Sequence, residues 1–327
     1  MKPQKKYTNM QEFLEDLLSL EDKLNNASPE DVKEIKAEIA RLKSEFNKLQ
    51  GIEKEVESTQ DGLKISKISE SEYNVLENRI FCTYKIQQIY SFRKKIDFRK
   101  EIEKRIEILD EHVHSLDLSH TSNYVYPKNL ILLTGLPYLK KLNLCGNNWD
   151  SKILNSVCKL YELKELDISH NKISYGDAGS TLKFEYDYLK TNLRNLRNLE
   201  VFIADYNPAT FLPKDYCELP WLRHISVSHN NLQELPKNIS NLSELEYLNA
   251  GNNLIEEISY LEISKLRKLK TLNLGGNRIH TLPKSLILLV CDGSLKEFYI
   301  KGNPLNIYED GTKTVLNYMT EKGILME

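Results

Sequence analysis

The segment LKELDISHNKI, residues 163–173, sets the reading of this chain because its wording keeps returning. Aligned on the Asn, the pattern LxxLxLxxNxL recurs as LKKLNLCGNNW from Leu139, LEVFIADYNPA from Leu199 and LRHISVSHNNL from Leu222. It returns as LEYLNAGNNLI from Leu245, LKTLNLGGNRI from Leu269 and LKEFYIKGNPL from Leu295. A degenerate copy, VHSLDLSHTSN from Val113, opens the array with Thr121 in the Asn position. The aligned residues are Asn147, Asn171, Asn207, Asn230, Asn253, Asn277 and Asn303, with successive gaps of 24, 36, 23, 23, 24 and 26. A period this regular predicts an array of stacked coils, in which each unit buries its apolar face only against its neighbours.

The pattern has a physical reading. Two apolar residues at period two mark a short strand with one face inward. Parallel strands from successive coils stack into one sheet, and the Asn marks the turn away from it. Its amide can bond backbone groups that would otherwise be buried unpaired, coil after coil. His120, His170 and His229 stand just before that position, two of them in the wording SHN, and read as residues of the turn rather than as metal ligands.

The return segments carry a second signature. LQELPKNISNLSELEYL (232–248) has the form LPxxIxxLxxLxxL, echoed by FLPKDYCELPWL (211–222) and TLPKSLILL (281–289). The array resembles the leucine-rich repeats of the intracellular Ras group, also called the plant-intracellular type. The ending GNPLNIYEDGTKTVLNYMTEK (302–322) is similar to the flank of intracellular members. The resemblance spans about residues 113–322 and implies an α/β solenoid, a horseshoe with a parallel concave sheet, at 113–327. Its C-terminal cap is expected at 302–327, with Val315, Leu316 and Met319 covering the last coil. The resemblance implies little about activity, since this scaffold serves unrelated tasks.

On the concave face, the positions flanking the inward residues are mostly small or polar. The repeat from Leu199 is the exception. Val201 and Ile203 would be exposed there, with Asp205 and Tyr206 nearby and His224 and Tyr247 on the next two coils. An apolar, aromatic patch with a polar rim is the expected form of a protein interface. The long 36-residue gap holds an insertion, SYGDAGSTLKFEYDYLKTN (174–192), that carries Phe184, Tyr186 and Tyr188. It reads either as a second interaction element or as a harmless bulge, and it could cover the patch.

Ahead of the repeats, residues 9–57 predict two helices. Phe13, Leu17, Leu20 and Leu24 form one stripe; Val32, Ile35, Ile39, Leu42, Phe46 and Leu49 form a seam of alternating spacing three and four. A helical hairpin and a coiled coil with a partner both fit over 1–62. Residues 63–112 read as a linker followed by a helical N-terminal cap, in which Ile89, Phe92, Ile96, Ile102, Ile106 and Leu109 keep the helical rhythm up to the first strand. Within it, FRKKIDFRKEIEKR (92–105) holds seven basic and three acidic residues. It is a solvated face or, less simply, a contact for nucleic acid.

The bulk numbers exclude several classes. The 327 residues carry a net charge of −2, which gives no global attraction to nucleic acid or anionic membranes. No apolar run approaches the ~18 residues that suggest a membrane span. Five scattered cysteines without a CxxC pair indicate neither a zinc site nor a disulfide framework, and favour a reducing compartment. No phosphate-cradling loop, GxSxG, HExxH or calcium loop occurs, so no enzyme, metal or cofactor is expected. The expected function is a non-catalytic, cytoplasmic or nuclear adaptor or scaffold. Its repeats would hold a protein partner, and residues 9–57 would bind a second partner or self-associate. Two alternatives stand beside it. One is a structural subunit of a large cytoskeletal or ribonucleoprotein particle. The other is a subunit of an enzyme complex similar to the alpha subunit of Rab geranylgeranyl transferase, in which helices also precede such repeats.

Overall fold

The computed structural model describes residues 69–76, 104–122, 125, 127–174, 193–259 and 261–326. The helices expected over 9–57 lie outside these residues. So do most of the basic segment 92–105 and the insertion residues Phe184, Tyr186 and Tyr188.

Each repeat after the opening one contributes one three-residue strand. Strands β3 (Lys141–Asn143), β4 (Glu165–Asp167), β5 (Val201–Ile203), β6 (His224–Ser226), β7 (Tyr247–Asn249), β8 (Thr271–Asn273) and β9 (Glu297–Tyr299) follow one another in a single parallel sheet. They stack without slip, so Leu142, Leu166, Phe202, Ile225, Leu248, Leu272 and Phe298 form one buried row. Register is this strict because a one-residue shift would turn the whole row out to solvent. Opposite the sheet, short 3-10 turns such as Lys214–Glu218, Lys237–Asn241 and Ile263–Lys265 return the chain, and their apolar residues close a single core. The fold is a leucine-rich-repeat solenoid built from one strand and one return segment per coil.

The turns explain the asparagines. Asn253 is buried, and its amide donates to the carbonyls of Ala250 and Gly251 in its own coil and of Val227 in the preceding one. Its Oδ1 accepts the backbone N–H of Leu232, at 3.0 Å. Asn147, Asn171, Asn207, Asn230, Asn277 and Asn303 each donate in the same way to a carbonyl of their own coil and to one of the coil before. In the opening coil Thr121 holds this place, and its N–H donates to Asn147 Oδ1 at 2.6 Å.

The N-terminal edge corrects the sequence reading. Residues 106–109 are not helical. They form β1 (Ile106–Leu109), which runs antiparallel to β2 (His112–Asp117) and covers the open edge of the sheet. Asp110 and Glu111 make the connection with φ of 50° and 67°, the left-handed pair that the twist of a two-residue hairpin requires. Neither residue is Gly or Asn, so the usual hairpin signal is missing. The helical spacing of Ile102, Ile106 and Leu109 is overridden by the unpaired backbone of β2, which needs a neighbour. Helix α1 (Glu70–Val75) buries Val75 beside the 3-10 segment Pro127–Gly135. A Cβ on Gly135 would lie 2.7 Å from the Val75 side chain, so that approach requires glycine.

At the other end, helix α2 (Asp310–Glu321) lays Val315 and Met319 into the core, with Leu316 partly buried. Glu309 caps it, accepting the N–H groups of Gly311 and Thr312. Strand β10 (Leu325–Met326) then pairs with β9.

Candidate interaction surface

The outward face of the sheet follows directly from the strand register. Val201 of β5, His224 of β6 and Tyr247 of β7 are successive cross-strand partners, so they form one row. The rings of His224 and Tyr247 stack at 4.1 Å, 4° from parallel. Ile203 stands in the adjacent row, between Asp167 and Ser226. All four are half-buried. Burial lowers the pKa of His224, with Asp205 opposing the shift, and burial also raises that of the Tyr247 phenol.

The other two residues expected in this patch do different work. Asp205 accepts the Ser226 hydroxyl at 2.7 Å and the Ser228 N–H at 2.7 Å, tying its coil to the next. In five other coils the N–H at the Ser228 position is held within its own coil, whereas the N–H of Asp205 itself donates to Ser169 Oγ of the coil before. Asp117, Asn143, Asp167, Asn249 and Asn273 each accept the N–H two residues on. In β6 that acceptor position is Ser226, and Asp205 substitues for it from the neighbouring coil. Tyr206 leaves the strand face altogether. It lies in the turn with φ 54°, its ring between His170 at 4.3 Å and His229 at 4.1 Å.

That stack belongs to a feature the repeat pattern does not announce. The residue before the ladder position has positive φ in every coil: His120, Gly146, His170, Tyr206, His229, Asn252, Gly276 and Gly302. Only residues that tolerate the left-handed region are economical there, and Gly, Asn and His fit that requirement. The three histidines are therefore turn residues. Among the described residues no group of three or more His, Cys, Asp or Glu could hold a metal ion. The signal was available in the sequence as a column of Gly, His and Asn broken only by Tyr206, once the coils are aligned.

Along the start of the strands runs a line of exposed ion pairs between coils. Lys164 meets Glu200 at 2.5 Å, and Glu246 takes both Arg223 and Lys270. Hydrogen bonds from Lys270 and Arg223 hold the Glu246 carboxyl below its usual pKa. Solvent screening leaves such pairs little net energy, so they tune the surface more than they hold it. Of the basic segment 92–105, Lys104 and Arg105 are described, and Arg105 donates to the carbonyls of Asp117 and Ser119 at the edge of the sheet.

A parallel sheet of one strand per repeat, sewn at each turn by an asparagine, defines the class of leucine-rich-repeat proteins. The described residues within 113–326 have this leucine-rich-repeat fold. Models of the leucine rich repeat match residues 220–279 and 163–179. Among curated proteins the chain is 29% identical over 153 residues to osteomodulin of Bos taurus, covering 46% of this chain and 32% of that protein. It is 30% identical over 157 residues to tubulin-specific chaperone E of Danio rerio, covering 47% and 28%. It is 31% identical over 160 residues to PH domain leucine-rich repeat-containing protein phosphatase 1 of Homo sapiens, covering 47% and 8%. The chain thus spans a third or less of the length of these relatives. A solved leucine-rich-repeat protein of Leptospira interrogans is 29% identical, with a TM-score of 0.44, covering 54% of this chain and 40% of that one. Among the described residues no helix is long and apolar enough to cross a membrane.

Proposed function

We propose that the chain is a non-catalytic adaptor or scaffold that offers the outward face of its repeat sheet to a protein partner. The observation that carries this reading is the row Val201, His224 and Tyr247, with Ile203 beside it. Apolar side chains stand there on a face that, Tyr299 of β9 apart, is otherwise small, polar or charged. Desolvating them against a partner yields about 25 cal/mol per Å² before association costs. The relatives support a binding scaffold rather than one activity, since their names describe unrelated work and the phosphatase match covers 8% of that protein. Resemblance to the Ras group, together with free thiols at Cys145, Cys158, Cys217 and Cys291, supports an intracellular setting. Residues 9–57 would supply a second contact. A structural role in a cytoskeletal assembly is the second reading, favoured by the likeness to tubulin-specific chaperone E.

The test is affinity capture with the full chain and with Ile203→Asp/Tyr247→Ala. The variant is expected to lose the captured partner while its melting temperature stays within a few degrees. Ser115→Ala/Lys301→Ala, on the same face but outside the patch, is expected to retain it. Capture by the patch variant at wild-type level would move the interface elsewhere.

A further inference from the structure

The patch has a charged setting that says what should sit on it. Asp117, Glu165, Asp167, Asp205 and Glu297 stand on the outward face with Lys141 and Lys301, and Arg105 lies at its edge against the carbonyls of Asp117 and Ser119. Lys141 is committed to Glu165 at 3.0 Å. Among the described residues no cation forms an ion pair with Asp117, Asp167 or Asp205. Asp167 is the member that matters most. It is the direct cross-strand partner of Ile203, so its carboxylate adjoins the apolar group. Its Oδ1 accepts the N–H of Ser169, and the residue is half-buried.

We propose that the occupant of this face is a basic, extended segment of a partner protein that carries an apolar anchor. This rests on the reading of the outward face as the docking surface, and adds the chemistry of the partner. The anchor, an aliphatic or aromatic side chain, seats on Val201, Ile203 and Tyr247. A Lys or Arg of the same segment meets Asp167. Neighbouring strands are ~4.8 Å apart, so the three strand steps from β4 to β7 span roughly 14 Å, which an extended chain covers in about four residues. The cation and the anchor therefore fall within about four residues of each other. The row of carboxylates repels nucleic acid and acidic peptides, and gives a basic segment both steering and selectivity.

A phage-displayed library of random peptides, selected on the immobilised full chain, tests the proposal. Selected sequences are expected to pair Lys or Arg with an aliphatic or aromatic residue within about four positions. A synthetic copy of the commonest one is expected to weaken as NaCl is raised, and to bind Asp167→Asn about tenfold less tightly. Asn at this position keeps the bond to Ser169, so the fold is preserved. The same peptide should fail to bind Ile203→Asp; Ile203→Ser provides the milder change should the aspartate unfold the chain. Neutral or acidic peptides that still depend on Ile203 would overturn the basic occupant while leaving the docking face intact. Basic peptides indifferent to both Ile203 and Asp167 would overturn the docking face itself. Enrichment of no class would overturn an extended segment as the occupant.

Discussion

The carboxylate of Asp205 accepts the backbone N–H of Ser228, one coil away, at 2.7 Å. The bond stands where other coils use their own Asp or Asn. Asp205 is thus an inter-coil tie, and its removal leaves a partly buried donor unpaired. Asp205→Ala is expected to destabilise the chain by about 1–3 kcal/mol. Asn253→Ala, which orphans the buried Leu232 N–H and removes one of the two donors to the carbonyls of Val227, Ala250 and Gly251, should cost at least as much. Urea denaturation of both variants checks this. A wild-type midpoint for Asp205→Ala would assign the tie no energetic weight.

The left-handed column predicts a sharp preference at His229, whose φ is 53°. His229→Gly loses the stack on Tyr206 and gains conformational ease. His229→Val loses the same stack and forces a β-branched residue into the left-handed region. Valine is expected to be less stable than glycine by about 1–2 kcal/mol. Equal stabilities would mean that the stack, not the backbone, selects the residue there.

His224 should make stability depend on pH. Burial holds its pKa below 6.5 in the fold, so the folded chain binds this proton less readily than the unfolded chain. The contribution of the neutral ring is complete above 6.5 and is lost as pH falls through that value toward the lower folded one. His224→Gln does not titrate. Wild type should therefore lose stability relative to the variant as pH drops below 6.5, measured by urea midpoints across the range. A constant difference at every pH would remove His224 from the pH response.

The cysteines should divide by burial. Cys158 and Cys217 lie in the core, and burial pushes both thiols up to about 12. Cys291 is exposed, with its sulfur 3.4 Å from the Tyr318 hydroxyl. Iodoacetamide attacks thiolates, so native labelling followed by peptide mass mapping should mark Cys291 and spare Cys158 and Cys217. Modification of the core pair at the rate of Cys291 would show that the coils open readily.

The repeat was legible in the sequence because its information is local. Each strand and its Asn lie within eleven residues, and equivalent positions return at a nearly constant interval. Counting alone therefore aligned Val201 with His224 and Tyr247, and Asn230 with Asn253 and Asn277. Three things needed the tertiary structure. The strand Ile106–Leu109 forms because β2 would otherwise expose unpaired backbone, a demand made from outside the segment and against its helical spacing. Tyr206 joins a stack of histidines because the turn has positive φ, which takes its side chain off the strand face. Asp205 serves the backbone of the following coil because Ser226 occupies the position that holds a capping Asp or Asn in five other strands. Period and register are written within each coil, whereas edges and inter-coil bonds depend on which neighbour lies alongside.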